Sequence, residues 1–304
     1  MGNANEPVNI KHSSSGASAK VYPFGATVAS FVTSKNHEVL FVSKLAKTDG
    51  SKATRGGIPL VFPQFGQPNK DMPQHGFLRC NYWKVGKSYD SDNEAGCDFT
   101  LDLQDVVKAR GDGIWKASET DNAVDCSICL LVKVKPTSLT TVLTITNTGS
   151  TAFEYQTLFH TYYKIYGSKA LDNNMCNVVG LEGYNVDDKI TNENTIQDGT
   201  PITIDREVDR IYTPDAQKQD LDITICTGED GSKLSVKATA ADGGKKLPVS
   251  AVVWNPFVEK SKGMSDFGDE EYHDMLCVEP GILSGISAVL PGKQVTFEQV
   301  ITSL

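Results

Sequence analysis

Two short islands, Arg55-Gly56-Gly57-Ile58-Pro59-Leu60-Val61-Phe62-Pro63 and Pro73-Gln74-His75-Gly76-Phe77-Leu78-Arg79, set rare polar side chains into an apolar, glycine- and proline-punctuated stretch. The chain has five arginines against twenty-four lysines, and five histidines, yet two of the arginines and one histidine fall within these 25 positions. A planar, permanently charged guanidinium is suited to holding a phosphate or carboxylate in a fixed orientation. Taken alone, Arg55 and Arg79 are equally well explained as ion-pair partners of acidic neighbours. His75, framed by Pro73 and Gly76, is expected on a tight exposed turn, where it suits either a substrate hydroxyl or the turn itself.

Three further polar groups stand in apolar company: His160 in Leu158-Phe159-His160-Thr161-Tyr162, Asp209 in Val208-Asp209-Arg210-Ile211-Tyr212, and Glu279 in Cys277-Val278-Glu279-Pro280-Gly281. Glu279 is expected to close a strand before a Pro-Gly turn, where burial would raise its carboxyl towards neutrality and make it a usable general base. A buried glutamate paired structurally with an Arg or Lys fits the same residues. His160 can shuttle a proton near neutral pH, or be a hydrogen-bonded core histidine. His12, His37 and His273 lie in polar surroundings and read as solvated. Trp254-Asn255-Pro256 leads into a cationic loop, so Trp254 could pack on a sugar face and Lys260 or Lys262 could oppose an anion; two loop lysines are equally at home in solvent.

Short β-branched segments bounded by turn residues must position these groups. They include Ala26–Thr33, Glu38–Ser43, Phe99–Leu103, Ser127–Lys135, Leu139–Asn147, Phe153–Phe159, Thr161–Tyr166, Asp222–Cys226, Leu234–Thr239, Ser250–Trp254, Gly285–Leu290 and Gln294–Thr302. Leu139, Leu143 and Ile145 share one parity and Thr140, Thr144 and Thr146 the other, predicting a strand with one buried face. Long amphipathic helices and internal repeats are absent. The expectation is an all-β chain, a large antiparallel β-sandwich forming one domain over 1–304, with 1–20 a flexible polar tail. Asp188–Gly199, Asp205–Gln219 and Glu259–Asp274 are too polar for core strands and are expected to cross the surface or rim a cleft.

A net charge of −9 argues against a nucleic-acid or anionic-membrane surface, and no apolar run reaches the roughly 18 residues that span a bilayer. The polar start lacks the apolar core of a secretory signal. Seven cysteines with no Asn-x-Ser/Thr acceptor read as reduced thiols, which points to the cytoplasm. Cys126 and Cys129 imitate a metal pair, but three apart on a strand they face opposite ways. Nucleotide-loop, zinc-protease and serine-hydrolase motifs do not occur.

Arg55 to Pro63, Pro73-Gln74-His75-Gly76 with Arg79, His160-Thr161-Tyr162, Asp209, Trp254-Asn255-Pro256 and Glu279-Pro280-Gly281 together resemble, in order, the glucose-6-phosphate 1-epimerase branch of the aldose 1-epimerase (galactose mutarotase-like) family. The resemblance runs from about residue 20 to the C-terminus. It implies a mutarotase-type β-sandwich, no metal and no cofactor, a sugar phosphate as the small-molecule partner, and a chain working as a monomer. By the same resemblance Glu279 is the general base and His160 the acid. Arg55, Gln74 and Arg79 bind substrate, His75 contacts a hydroxyl or the ring, and Asp209 holds a hydroxyl. Three other readings stay open: a carbohydrate-binding protein without turnover, a mutarotase of unphosphorylated aldoses, and a glycoside hydrolase using Asp209 and Glu279.

Overall fold

Period-two alternation builds most of the molecule. In the strand Cys126–Val134, Cys126, Ile128, Leu130, Val132 and Val134 are buried while the intervening residues are half-buried. Its antiparallel neighbour Ser138–Asn147 matches Ile128 to Ile145 and Leu130 to Leu143. The predicted parity of Leu139, Leu143 and Ile145 therefore holds, because a one-residue slip would turn the whole apolar set into solvent. The computed structural model describes residues 5–110, 115, 124–215 and 218–304.

Those residues form three sheets of 3, 8 and 10 strands, and all pairing between the named strands is antiparallel. The 10-stranded sheet carries the Cys126–Val134, Ser138–Asn147 and Gln294–Ser303 strands. The 8-stranded sheet carries the functional candidates and runs, in order, Glu193–Ile196, Asn185–Asp188, Val208–Thr213, Ser250–Asn255, Met275–Val289, Phe153–Phe159 and Leu60–Val61, with Tyr162–Lys164 also paired to Met275–Val289. The two large sheets meet through their inner faces. Phe159 stacks on Phe297 with ring centroids 4.7 Å apart, and the buried Thr161 hydroxyl donates to Gln299 Oε1 at 3.0 Å. One contiguous apolar cluster threads all three sheets.

All six residues of Ser250–Asn255 are buried, as are residues 275–282. Strands hidden on both faces can hold groups away from water, and one of these faces is where the candidates gather. Asn255 locks the exit from this sheet: its amide donates to the carbonyls of Tyr272 and Met275 and its oxygen accepts from Phe257 N–H, starting the helix Phe257–Lys262.

Several expectations need correction. Residues 8–11 and 18–22 are strands of the 3-stranded sheet rather than a flexible tail, with Ile10 and Ala17 in the core. His12 in the connecting turn is buried, its ring nitrogens meeting the hydroxyls of Ser15 and Ser14 and the Asp92 carbonyl. The polar stretches 188–199 and 205–219 reach the surface as expected but do so partly as strands: Glu193–Ile196 is an exposed sheet edge, and Val208–Thr213 sets Asp209 in the cavity lining. Glu38–Ser43 makes only isolated bridges, and Leu103 begins a helix, Leu103–Arg110, instead of ending a strand.

Glu279 does not close a strand either. It lies inside Met275–Val289, opposite Val252, and Pro280-Gly281 continues the extended chain. Gly281 is there for proximity: a Cβ at this position would sit 2.6 Å from Leu158 Cβ on the neighbouring strand.

Candidate active site

A cavity of about 360 Å³ opens on the 8-stranded sheet, lined by Arg55, Phe65, Gly66, Gln74, His75, Arg79, His160, Lys189, Asp209, Val252, Trp254, Lys260, Met264 and Glu279. Residues from positions 55 to 279 thus converge on a space large enough for a small ligand. Of the residues singled out in the sequence, Lys262 alone stays outside; it pairs with Glu259 at 2.9 Å on the exposed side of its helix.

Glu279 and His160 form the floor. Glu279 is 1% exposed and His160 7%. His160 Nδ1 lies 3.3 Å from Glu279 Oε1, and among the described residues Glu279 Oε2 has no hydrogen-bond partner. The His160 ring is held flat against Tyr162 (centroids 4.9 Å, planes 11° apart) and edge-on to Trp254 and His75. Burial pushes Glu279 well above the ordinary carboxyl range, reinforced by the negative charge of Asp209 and opposed by Arg79. Burial likewise pushes His160 well below the usual imidazole value, helped by the positive charges of Arg79 and Arg55. Two adjacent groups shifted towards each other share a proton readily, which is what acid/base exchange within one site requires.

The two islands together supply the wall beside them. Gly76 allows it: with φ +73°, its missing Cβ would fall 1.8 Å from the Phe62 carbonyl oxygen, so the two islands could not lie against each other with any other residue here. His75 precedes it at φ +64° and is half-buried, not fully exposed. Its Nδ1 accepts from Gly66 N–H at 3.1 Å, which leaves Nε2–H as the donor of the neutral ring. Burial, then the charges of Arg79 and Arg55, push His75 down to about 3, so the ring is neutral at physiological pH.

The two arginines differ in how much binding capacity remains. Arg55 donates from Nε to Asp266 Oδ1 and from Nη1 to the Tyr162 hydroxyl, each at 3.1 Å, while Lys52 holds the other Asp266 oxygen at 2.6 Å. Burial works against the Arg55 charge, but Tyr162 and Asp266 more than restore it and hold it above the ordinary value. Arg79, on the 3₁₀ turn Leu78–Cys80, donates from Nη2 to the Gln74 carbonyl at 2.9 Å, and its Nε is shut from solvent with no acceptor among the described residues. A partly buried guanidinium whose Nε lacks an acceptor has capacity for an anion.

Opposite stand Asp209, Lys189 and Lys260. Asp209 pairs with Trp254 across the sheet and its carboxyl is raised by burial, with Lys260 opposing. Lys260 Nζ is 2.8 Å from Glu207 and 4.0 Å from Asp209. Lys189, whose backbone N–H donates to the Asp209 carbonyl at 2.8 Å, pairs with Asp187. Lys189, Phe65 and Met264 went unsuspected in the sequence; one lysine among twenty-four, or one Met in a polar loop, carries no local signal. Asp266, which aligns Arg55, was also hidden in a charged run.

A β-sandwich with a buried Glu–His couple, an indole and cationic side chains lining one cavity defines a setting for acid/base chemistry on a small polar ligand. The family model described as aldose 1-epimerase matches residues 7–302, and the chain belongs to that family: it is an isomerase that interchanges the anomers of an aldose. It is 33% identical over 283 residues to a Cenchrus ciliaris protein, covering 91% of this chain and 78% of that one. It is 27% identical over 280 residues to an Escherichia coli K12 protein, covering 91% and 84%. Both are named "Putative glucose-6-phosphate 1-epimerase". Among solved structures, one titled "putative mutarotase (YeaD)" from Salmonella typhimurium superposes with a TM-score of 0.76 at 21% identity, over 94% of this chain and 87% of the other. That similarity bears on the fold, which is of the galactose mutarotase type. Among the described residues no helix is long and apolar enough to cross a membrane.

Proposed function

We propose that the protein interconverts the α and β anomers of a hexose 6-phosphate, with glucose 6-phosphate the first choice. The observation that carries the phosphate is the buried, unpaired Arg79 Nε in the same cavity as Glu279 and His160. The names of the two relatives support the same substrate.

In this reading Glu279 takes the proton from the anomeric hydroxyl while His160 gives one to the ring oxygen. The C1–ring oxygen bond breaks, leaving an open-chain aldehyde. Rotation about C1–C2 presents the other carbonyl face, and the two residues return the protons in exchanged roles. The Glu279–His160 couple needs one proton between its members, on His160 when the sugar opens, and their 3.3 Å contact allows it to move there. Arg79, Arg55 and Gln74 hold the phosphate end, His75 Nε2–H and Asp209 the hydroxyls, and Trp254 the sugar face. The nearest ionisable partner of Glu279 is a histidine rather than a second carboxylate, which favours epimerisation over glycoside hydrolysis. The chain is read as one domain acting as a monomer in the cytoplasm; seven free thiols support a reducing compartment.

The test is exchange NMR on the anomeric signals of glucose 6-phosphate and of glucose, with wild type, Glu279→Gln and His160→Ala. Phosphate-selective acceleration, reduced about 10²–10⁴-fold in both variants, is expected. Equal acceleration of glucose would move the reading to unphosphorylated aldoses. Binding without acceleration would leave a carbohydrate-binding protein.

A further inference from the structure

We propose that His160, Cys277 and Glu279 form a binding site for a thiophilic divalent cation, Zn²⁺ foremost, whose occupancy switches the acid/base couple off. The mechanism above makes no use of Cys277. Its thiol is fully buried and lies outside the cavity lining, yet Sγ sits 3.8 Å from His160 Nδ1, the nitrogen that also faces Glu279 Oε1 at 3.3 Å. Among the described residues this is the one group of three His, Cys, Asp or Glu donors drawn within 4.8 Å of one another.

The spacing fits a tetrahedral ion. With Zn–N and Zn–O of about 2.1 Å and Zn–S of about 2.3 Å, tetrahedral angles put N and O about 3.4 Å apart and N and S about 3.6 Å apart. The observed N–O and N–S separations of 3.3 and 3.8 Å lie within about 0.2 Å of these, and the S–O pair, within 4.8 Å, closes on the ion by side-chain adjustment. The placement follows from the sheet: Cys277 and Glu279 are two apart on one strand and share a face, and Cys277 is fixed by pairing with Tyr162 on one side and Trp254 on the other. A second observation points to a ligand: Glu279 Oε2 is buried and has no partner. A nitrogen, a thiolate and a carboxylate suit Zn²⁺ or Co²⁺ and not the oxygen-seeking Mg²⁺. The cavity side supplies the fourth position, for water or a sugar hydroxyl. Binding displaces the Cys277 proton and any proton on Glu279 to solvent, with no redox change.

The inhibitory half of this inference rests on the epimerase reading; the binding half does not, and two measurements keep them apart. The first uses the whole, chelator-stripped protein titrated with Co²⁺. A near-ultraviolet thiolate-to-cobalt charge-transfer band saturating at one equivalent is expected in wild type and absent in Cys277→Ala and Cys277→Ser. The second follows anomer exchange of glucose 6-phosphate under buffered Zn²⁺. Wild type is expected to lose activity and regain it with EDTA. Cys277→Ser should keep its metal-free rate and require at least about tenfold more Zn²⁺, since even changes outside the ligand shell cost 10–100-fold in affinity. No band in wild type, or a band that survives in Cys277→Ala, would overturn the site, as would equal Zn²⁺ inhibition of wild type and Cys277→Ser. The Cys277-dependent band in a protein that epimerises nothing would retain the cation site and refute the functional reading instead.

Discussion

Replacing Arg79 with methionine separates recognition of the phosphate from chemistry at the anomeric carbon. Arg79 spends one donor on the Gln74 carbonyl and keeps a buried Nε idle, whereas Arg55 is already committed to Asp266 and Tyr162. The phosphate should therefore gain most from Arg79. A hydrogen bond to a charged group contributes about 1.5–3 kcal/mol. At about 1.4 kcal/mol per factor of ten, that is roughly 10–150-fold in kcat/KM for glucose 6-phosphate. The Gln74 side of the lost bond is exposed, so water replaces it and the fold should be unaffected. The assay compares wild type and Arg79→Met on glucose 6-phosphate and glucose by anomer exchange. Activity on glucose should change less than about threefold, since glucose offers no charge for the lost donors. A parallel drop on both sugars would refute the reasoning, because Arg79 would then be serving the His160–Glu279 couple rather than the phosphate.

Two stability predictions follow from the same geometry. The native His75 is held neutral, with its value down to about 3 against an ordinary 6.5, so the unfolded chain takes up a proton below pH 6.5 that the native state refuses. Stability from this group is complete above pH 6.5 and falls towards pH 3. The loss is at most about 5 kcal/mol, from 6.5 − 3 = 3.5 pH units at about 1.36 kcal/mol each, less whatever solvent contact screens. Thermal unfolding at pH 4 and pH 7 should show a smaller difference for His75→Asn, which tolerates the positive φ, than for wild type; an unchanged difference would mean other groups set the acid limb. Gly281→Ala puts a methyl 2.6 Å from Leu158 Cβ and should cost about 1–3 kcal/mol in urea unfolding, with reduced exchange activity because Glu279 lies two residues away. A neutral result on both readouts would show that the two strands can part at no cost.

What was legible in the sequence depended on contrast. His160, Glu279, Arg55 and Arg79 stood out as rare polar types among apolar neighbours, and all of them reach the cavity. The strands Cys126–Val134 and Ser138–Asn147 of the 10-stranded sheet were legible because one face is core and the other less buried, so parity is written in Ile, Leu and Thr. Val208–Thr213 was not, since its Asp209 lines the cavity while Arg210, on the other face, pairs with Asp188, so neither face reads as dry. The segment 8–20 of the expected tail was misjudged because Ser, Lys, Asn and His outnumber its apolar residues, while three of the few that are apolar, Ile10, Ala17 and Ala19, are buried. Pro280-Gly281 imitated a turn; only the spacing of two strands reveals why glycine is there. Lys189 and Asp266 become meaningful through partners far away in the chain, which no local window contains.

The order of strands in the 8-stranded sheet also governs when a sugar can first be held. Met275–Val289, among the last strands synthesised, occupies an inner place between Ser250–Asn255 and Phe153–Phe159. A growing chain that has not yet delivered it has its arginine wall but an open seam where Glu279 belongs. Ligand therefore cannot rescue a partly made molecule. It can reward only the finished sheet, so added sugar phosphate should protect the complete protein from proteolysis and leave fragments ending before this strand as vulnerable as before.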